Sequence, residues 1–404
     1  MSGELLRAAL TAVLDIEDEQ LRAEALTTLA PQLTGDLLQT GMAAAQAINY
    51  EANRVQALAA LVPQLTGAAR EQALQAGLAA AQAIYYEADR VQALAALASQ
   101  LTGAAREQAL QAGLAAAETI EDKRSHTEAL ATLAPHLTCT AREQALQAGL
   151  ASMQAIGDER DRVEALAALA PHLTGAVRKQ ALWAGLAAAN AIADERFRPW
   201  ALAALAPQLT GDLLQAGLAA VEAIQYEKFR VQALTALAPQ LTGEPLQVGL
   251  AIAQAIHDEE SRAEALTALA SQLTGELLGV GLAAAQAIQD ERCRAIALAA
   301  LATHLRGELL QAGLIAAQTI GNEEARTHAL AAFLPVTPDR APLFRSIRQF
   351  MADHLWNRLQ HEKRDTVLQF CADQKLFAPP ILSPATLAAI ARHIIEICTE
   401  WEWL

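Results

Sequence analysis

Residues 65–81 read Leu-Thr-Gly-Ala-Ala-Arg-Glu-Gln-Ala-Leu-Gln-Ala-Gly-Leu-Ala-Ala-Ala, and residues 101–117 read the same without a change. Outward from this pair, the Thr-Gly step recurs at Thr34-Gly35, Thr174-Gly175, Thr210-Gly211, Thr242-Gly243 and Thr274-Gly275. Ser2-Gly3, Thr138-Cys139 and Arg306-Gly307 hold equivalent places, which gives ten repeats spaced by 32 or 36 residues. Self-similarity at such a period is the mark of a stacked repeat architecture.

Each repeat predicts two helices. In the first, Leu38, Gly41, Met42, Ala45 and Ile48 fall at helical spacing on one face, and the Leu38 and Ile48 columns do not vary across the ten repeats. Thr34 is the expected N-cap, with Asp36 at the positive end of the helix dipole. The second helix carries Ala25, Leu26, Leu29 and Leu33, with Asp18, Asp122, Asp158, Asp194, Asp258 and Asp290 as expected N-caps. Glycine holds the Gly41 column in nine repeats, inside a helix, where it costs about 1 kcal/mol against alanine. Close approach of two helix axes would explain it. The Pro31 column (Pro63, Pro135, Pro171, Pro207, Pro239, Pro335) should end the second helix.

One repeat cannot bury its apolar stripes alone, so neighbours must stack. The expected fold is all-α, a right-handed α-α superhelix (solenoid) of about ten helical hairpins over residues 1–335. A helical C-terminal module follows over residues 336–404, which hold none of the glycines but three of the five tryptophans and four of the seven phenylalanines. An amphipathic stretch over 343–364 is expected to cap the last repeat.

The chain has 404 residues, 30 basic against 45 acidic, a net charge of −15 and only 4% aromatic content. An acidic surface is unsuited to the DNA or RNA backbone, so no nucleic acid is expected as a partner. Cys139, Cys293, Cys371 and Cys398 are scattered with no C-x-x-C pair, as in a reducing compartment. No basic, then apolar leader opens the sequence, and no apolar run reaches the ~20 residues of a membrane span. A cytoplasmic protein, without membrane attachment, is expected.

The 32-residue pattern G-[DE]-L-L-Q-x-G-L-A-A-A-Q-A-I-x-D-E-x-x-R-x-x-A-L-A-A-L-A-P-Q-L resembles the helical repeats of bacterial multidomain signalling proteins. It is similar in size and layout to tetratricopeptide and HEAT repeats, over residues 1–335. The resemblance implies a sensor or partner-binding region. The Trp-Leu-Gly-Tyr signature of tetratricopeptide units is absent, and no G-x-x-x-x-G-K-[ST] phosphate loop occurs, so a nucleotide switch would belong to another chain.

Several polar patterns are candidates for a site. Glu-x-x-Arg opens the second helix in nine repeats, as in Glu51/Arg54, Glu87/Arg90 and Glu159/Arg162; Lys123/His126 changes both members together, as a mutually paired couple would. It reads either as a charge ladder along the stack or as an arginine-lined groove for acidic peptides or phosphate groups, the latter implying an anion or small-ligand receptor. Gln39, Gln75, Gln111, Gln147, Gln46, Gln82 and Gln154 read either as a solvated face or as a groove for an extended peptide. Trp183 replaces glutamine in the sixth repeat, whose second helix carries Phe197 and Trp200; such aromatics fill gaps or anchor a partner. The 36-residue repeats insert four residues in the first helix, aligning Arg70, Arg106, Arg142 and Arg178 as a ledge that either contacts a partner or is an inherited duplication. His136, His172 and His304 share a column, but neighbouring repeats sit ~10 Å apart, too far for a shared zinc ion unless the rings reach toward each other. With no H-E-x-x-H and no G-x-S-x-G, neither catalysis, a cofactor nor a metal is expected. The function expected is a non-catalytic scaffold or sensor for a protein or peptide, with the oligomeric state open.

Overall fold

A computed structural model describes residues 3–333, and over them the protein is all-α. Pro335, the amphipathic stretch 343–364 and the module expected over 336–404 lie outside the described residues. The chain divides into two compact bodies, Met1–Ile192 and Ala193–Leu404.

The first body pairs α1 (Gly3–Leu14) with α2 (Glu19–Leu29), α3 (Gly35–Gln46) with α4 (Glu51–Leu61), and α5 (Gly67–Ala83) with α6 (Glu87–Ala98). It continues with α7 (Gly103–Glu118), α8 (Lys123–Leu133), α9 (Cys139–Gln154), α10 (Glu159–Leu169) and α11 (Gly175–Ala191). Even-numbered helices, the second of each hairpin, pack directly on one another from α2 through α10, and odd-numbered ones cover them. The second body runs from α12 (Arg198–Leu205) and α13 (Asp212–Glu222) through α14 (Glu227–Leu237), α15 (Gly243–Gln254) and α16 (Glu259–Leu269). It ends, among the described residues, with α17 (Gly275–Gln286), α18 (Glu291–Ala302), α19 (Gly307–Gln318) and α20 (Glu323–Phe333). Its second helices also form the tighter layer, α12 on α14, α14 on α16, α16 on α18 and α18 on α20. Each body is therefore a stretch of all-α solenoid.

The core is made from what recurs. Leu26, Leu58, Leu94, Leu166, Leu234, Leu266 and Leu298 have no exposed surface, nor do Ile48, Ile224, Ile288 and Ile320 at the first-helix ends. Alanine at the remaining inward positions lets the helices approach. The helix-interior glycines serve the same end: a Cβ on Gly249 would stand 2.7 Å from Leu241 Cδ1, and one on Gly281 would stand 2.6 Å from Leu273 Cδ1. The glycine of the Thr-Gly step does different work, entering the first helix at φ between 53° and 58°, which side chains rarely adopt.

Local signals resolve unevenly. Asp18, Asp122, Asp158, Asp194, Asp258 and Asp290 each accept a backbone N–H of the following turn, as expected of N-caps. Thr34 stands at the N-cap position of α3, but its side chain makes no capping bond; the left-handed glycine that follows makes the turn instead. The prolines end the second helices in short 3₁₀ turns, as at Ala30–Gln32 and Ala238–Gln240. The sixth repeat departs from the pattern. Phe197 lies in a 3₁₀ turn, Glu195–Phe197, and not in the second helix, which starts only at Arg198. Pro199, at the start of that helix, has no N–H to give to an earlier α turn.

Candidate functional site

The Glu-x-x-Arg ladder is mainly a set of bonds to backbone. Glu19 accepts the N–H groups of Asn49 and Tyr50 at 3.1 and 2.9 Å, at the entry to the next repeat's second helix. Glu195 does the same with Gln225 and Tyr226, Glu227 with His257 and Asp258, Glu259 with Gln289 and Asp290, and Glu291 with Gly321 and Asn322. These N–H groups lie where a helix N-terminus favours negative charge. The bonds hold the carboxyls of Glu19, Glu259 and Glu291 below the usual carboxylate range. Burial pushes Glu227 upward, but the Asp258 and His257 N–H groups and the His257 ring outweigh it, leaving a pKa of about 2.

The arginines face the other way along their own repeat. Arg54 donates to the Ile48 carbonyl at 2.9 Å, and Arg90, Arg162, Arg230, Arg262, Arg294 and Arg326 reach the equivalent isoleucine. That carbonyl sits at the C-terminal end of the first helix, where a cation is favoured. Direct contact inside the motif occurs as well, closest at Glu195–Arg198, 3.3 Å, and looser at Glu291–Arg294, 3.6 Å, and Glu51–Arg54, 3.9 Å. At Lys123/His126 both backbone roles differ. Lysine cannot accept the N–H groups, and His126 turns to the Ser152 hydroxyl at 2.7 Å.

The inserted arginines also serve the backbone. Arg70 donates to the Gln100 carbonyl at 3.0 Å, Arg106 to His136 at 3.1 Å and Arg142 to His172 at 3.4 Å. Each closes the end of the second helix of its own repeat. Arg178 occupies the matching place on α11. Glu51 and Glu87, whose next repeats carry the insert, accept no N–H from those repeats among the described residues, in contrast to Glu19. The insert therefore coincides with an exchange of one backbone contact for another.

The aromatics are divided between the bodies: Trp183 on α11, 43% exposed, in the first, and Phe197 with Trp200, 39% exposed, in the second. Tyr85 and Tyr86 meet edge-to-face at a turn of the first body, and Tyr226 meets Phe229 likewise in the second. The glutamines Gln39, Gln75, Gln111, Gln147, Gln46, Gln82 and Gln154 are all exposed on the first helices. His136 and His172 have their basicity lowered by burial, then by Arg106 and Arg142 respectively. Among the described residues, no three His, Cys, Asp or Glu side chains are grouped to hold a metal ion.

The grooves of the first body include one of about 370 Å³ beside Arg70, Glu71 and Gln75, and two larger ones with room for part of a polypeptide. Of the larger two, one, of about 580 Å³, lies between α9 and α11 and is lined by Leu150, Met153, Gln154, Val177, Gln180 and a row of alanines, with Arg162 of α10 also at its wall. The other, of about 450 Å³, crosses the second helices of three consecutive repeats, α2, α4 and α6. Its floor is Val55, Ala59, Ala60, Ala93 and Ala96, and its polar lining is Thr27, Asn53, Gln56, Asp89, Gln92 and Gln100. Gln100 is part of the frame, donating its amide to the Ala59 carbonyl at 2.9 Å. Asn53, Gln56, Asp89 and Gln92 make no side-chain hydrogen bond or ion pair among the described residues.

This second groove was missed in the sequence, although a signal for it exists. The Gln56 column reads Glu24, Gln56, Gln92, Glu128, Glu164, Trp200, Gln232, Glu264, Ile296 and His328, and the Asn53 column, from Leu21 through Asp89 and Phe229 to Ala325, varies as widely. The adjoining Ala57 and Leu58 columns are alanine and leucine in all ten repeats. Variation is thus concentrated on one face of the second-helix layer. In the first body that face is polar and acidic; in the second it carries Phe197, Trp200, Phe229 and Ile296.

No known family model matches this sequence, and no curated protein matches it either. Among the described residues, no helix is long and apolar enough to cross a membrane.

Proposed function

We propose that this protein is a non-catalytic scaffold or sensor that binds a polypeptide segment along its second-helix layer. The observation that carries the reading is the groove across α2, α4 and α6, where the carboxamides of Asn53, Gln56 and Gln92, without partners among the described residues, stand over an alanine floor. A carboxamide both donates and accepts, which is what an extended peptide backbone needs from its binding surface. The groove is open and shared by three repeats, as suits a chain-like ligand. The arginine columns support this reading over an anion receptor, because their guanidinium groups are engaged with isoleucine carbonyls. The resemblance to helical repeats of bacterial signalling proteins agrees with a sensor role in the cytoplasm, with the partner supplied by another chain.

Selection of displayed random peptides on the full-length protein tests the proposal. Peptides recovered and resynthesised should bind the purified chain and lose at least tenfold in affinity to Gln56→Ala/Gln92→Ala. Failure to recover any binding peptide, or binding indifferent to both substitutions, would count against it.

A further inference from the structure

We infer that the segment held in the α2–α4–α6 groove is extended and basic. The inference rests on the peptide-binding reading and specifies the chemistry of its ligand. Asp89 is the sole charged side chain in the lining, it has no ion partner among the described residues, and no cation lines the groove. The column that supplies Gln56 and Gln92 continues as Glu24 on one side and Glu128 on the other. Beyond Glu128 the sign persists: Arg124 contacts Glu128 at 2.9 Å and Asp161 at 3.2 Å, and also pairs with Glu164, so one guanidinium faces three carboxylates. An acidic segment would meet Glu24 and Asp89 with no cation in the groove lining, and beyond them a cluster in which three carboxylates share one guanidinium, whereas a basic segment is complementary to both.

Spacing fixes the form of the ligand. Packed helices stand about 8–10 Å apart, and an extended chain advances about 3.3 Å per residue. Gln56 and Gln92, equivalent positions on adjacent second helices, are thus matched by backbone groups roughly three residues apart. A helical ligand rises only about 1.5 Å per residue and has its backbone groups already paired, so it leaves the carboxamides without partners.

The test uses three blocked twelve-residue peptides of alternating sequence, (Lys-Thr)₆, (Gln-Thr)₆ and (Glu-Thr)₆, each with a fluorophore, titrated with the full-length protein at low salt. The lysine peptide should bind at least tenfold more tightly than the other two. Asp89→Asn should reduce that binding severalfold, and Gln56→Ala/Gln92→Ala should reduce it at least tenfold. Neutralising two carboxylates elsewhere, Glu244→Gln/Glu276→Gln, should leave it unchanged. Equal or tighter binding of the glutamine or glutamate peptide, sensitive to Gln56 and Gln92, would overturn the basic ligand while leaving the peptide-binding reading in place. Lysine-peptide binding that falls equally with Glu244→Gln/Glu276→Gln would reduce the effect to net-charge attraction and overturn the inference. Binding of none of the three peptides would also overturn it, and the display selection decides separately whether the broader reading stands.

Discussion

The Glu227 carboxylate accepts the backbone N–H of Asp258, thirty-one residues later, at 2.8 Å. Through that bond and its counterparts, a side chain at the start of one second helix holds the entry to the next. The contact is to backbone, so it leaves the following repeat free to vary its side chains. Arg230, three residues on, closes the end of its own first helix at the Ile224 carbonyl. One short motif thereby joins a hairpin internally and to its neighbour.

Removal of the carboxylate should therefore be felt where the bond exists and not where it does not. Glu227→Ala is expected to cost about 1.5–3 kcal/mol, the range for a hydrogen bond to a charged group. Glu87→Ala, which removes no such bond, should stay within roughly 0.5 kcal/mol. Chemical denaturation of the two variants checks the difference; equal losses would contradict the assignment.

Acid should reveal the same bond. The Glu227 pKa is lowered from 4.5 to about 2, so its contribution is present above the unfolded value and lost as pH falls through the folded one. The stability gap between the wild type and Glu227→Gln should hold from pH 7 to about 5 and narrow between about 4.5 and 2. Denaturant midpoints measured across that range read the gap directly. A gap constant down to pH 2 would show that the carboxylate has no special stabilisation.

The arginine columns are expected to matter for stability and not for charge recognition. Arg162→Gln removes bonds to the Ile156 carbonyl at 3.1 and 2.6 Å and should cost about 1–2 kcal/mol. Binding of a peptide in the α2–α4–α6 groove, which Arg162 does not line, should be unaltered once folding is complete. Thermal melting and anisotropy on the same preparation separate the two effects.

Close helix approach sets a further limit. In Gly249→Ala the new methyl group meets Leu241 Cδ1 at 2.7 Å, so overpacking of about 1–3 kcal/mol opposes the ~1 kcal/mol gain in helix propensity. A net loss of stability is expected, and Leu241→Val in the same chain should recover part of it. A stabilised Gly249→Ala variant would contradict the packing described here.

The hairpins, their caps and the helix-interior glycines were legible because each is dictated by local chemistry that recurs along the chain. Asp258 had to cap a helix, and Gly249 had to admit a neighbour. The bonding of Glu227 was not legible, since a charge pattern at i,i+3 says nothing of a backbone thirty residues away. Nor was the destination of Arg70, whose insert looked like a free ledge but whose guanidinium reaches the Gln100 carbonyl. Thr34 showed the reverse error, a good capping residue displaced from that task by the positive φ of Gly35. The groove escaped notice because periodicity draws the eye to columns that stay constant, while Gln56 and Asn53 belong to columns that change.

The central claim is that the constant columns build the stack and the changing face of the second helices receives the ligand. The most direct test is a photo-cross-linking map. A (Lys-Thr)₆ peptide bearing a central diazirine is bound to the full-length protein, irradiated, and its attachment sites are located by mass spectrometry. The account predicts attachment within residues 52–60 and 88–100, on α4 and α6, abolished by excess unlabelled peptide. Competed attachment confined to residues 67–83 or 103–118, the first helices with their inserts, would contradict it.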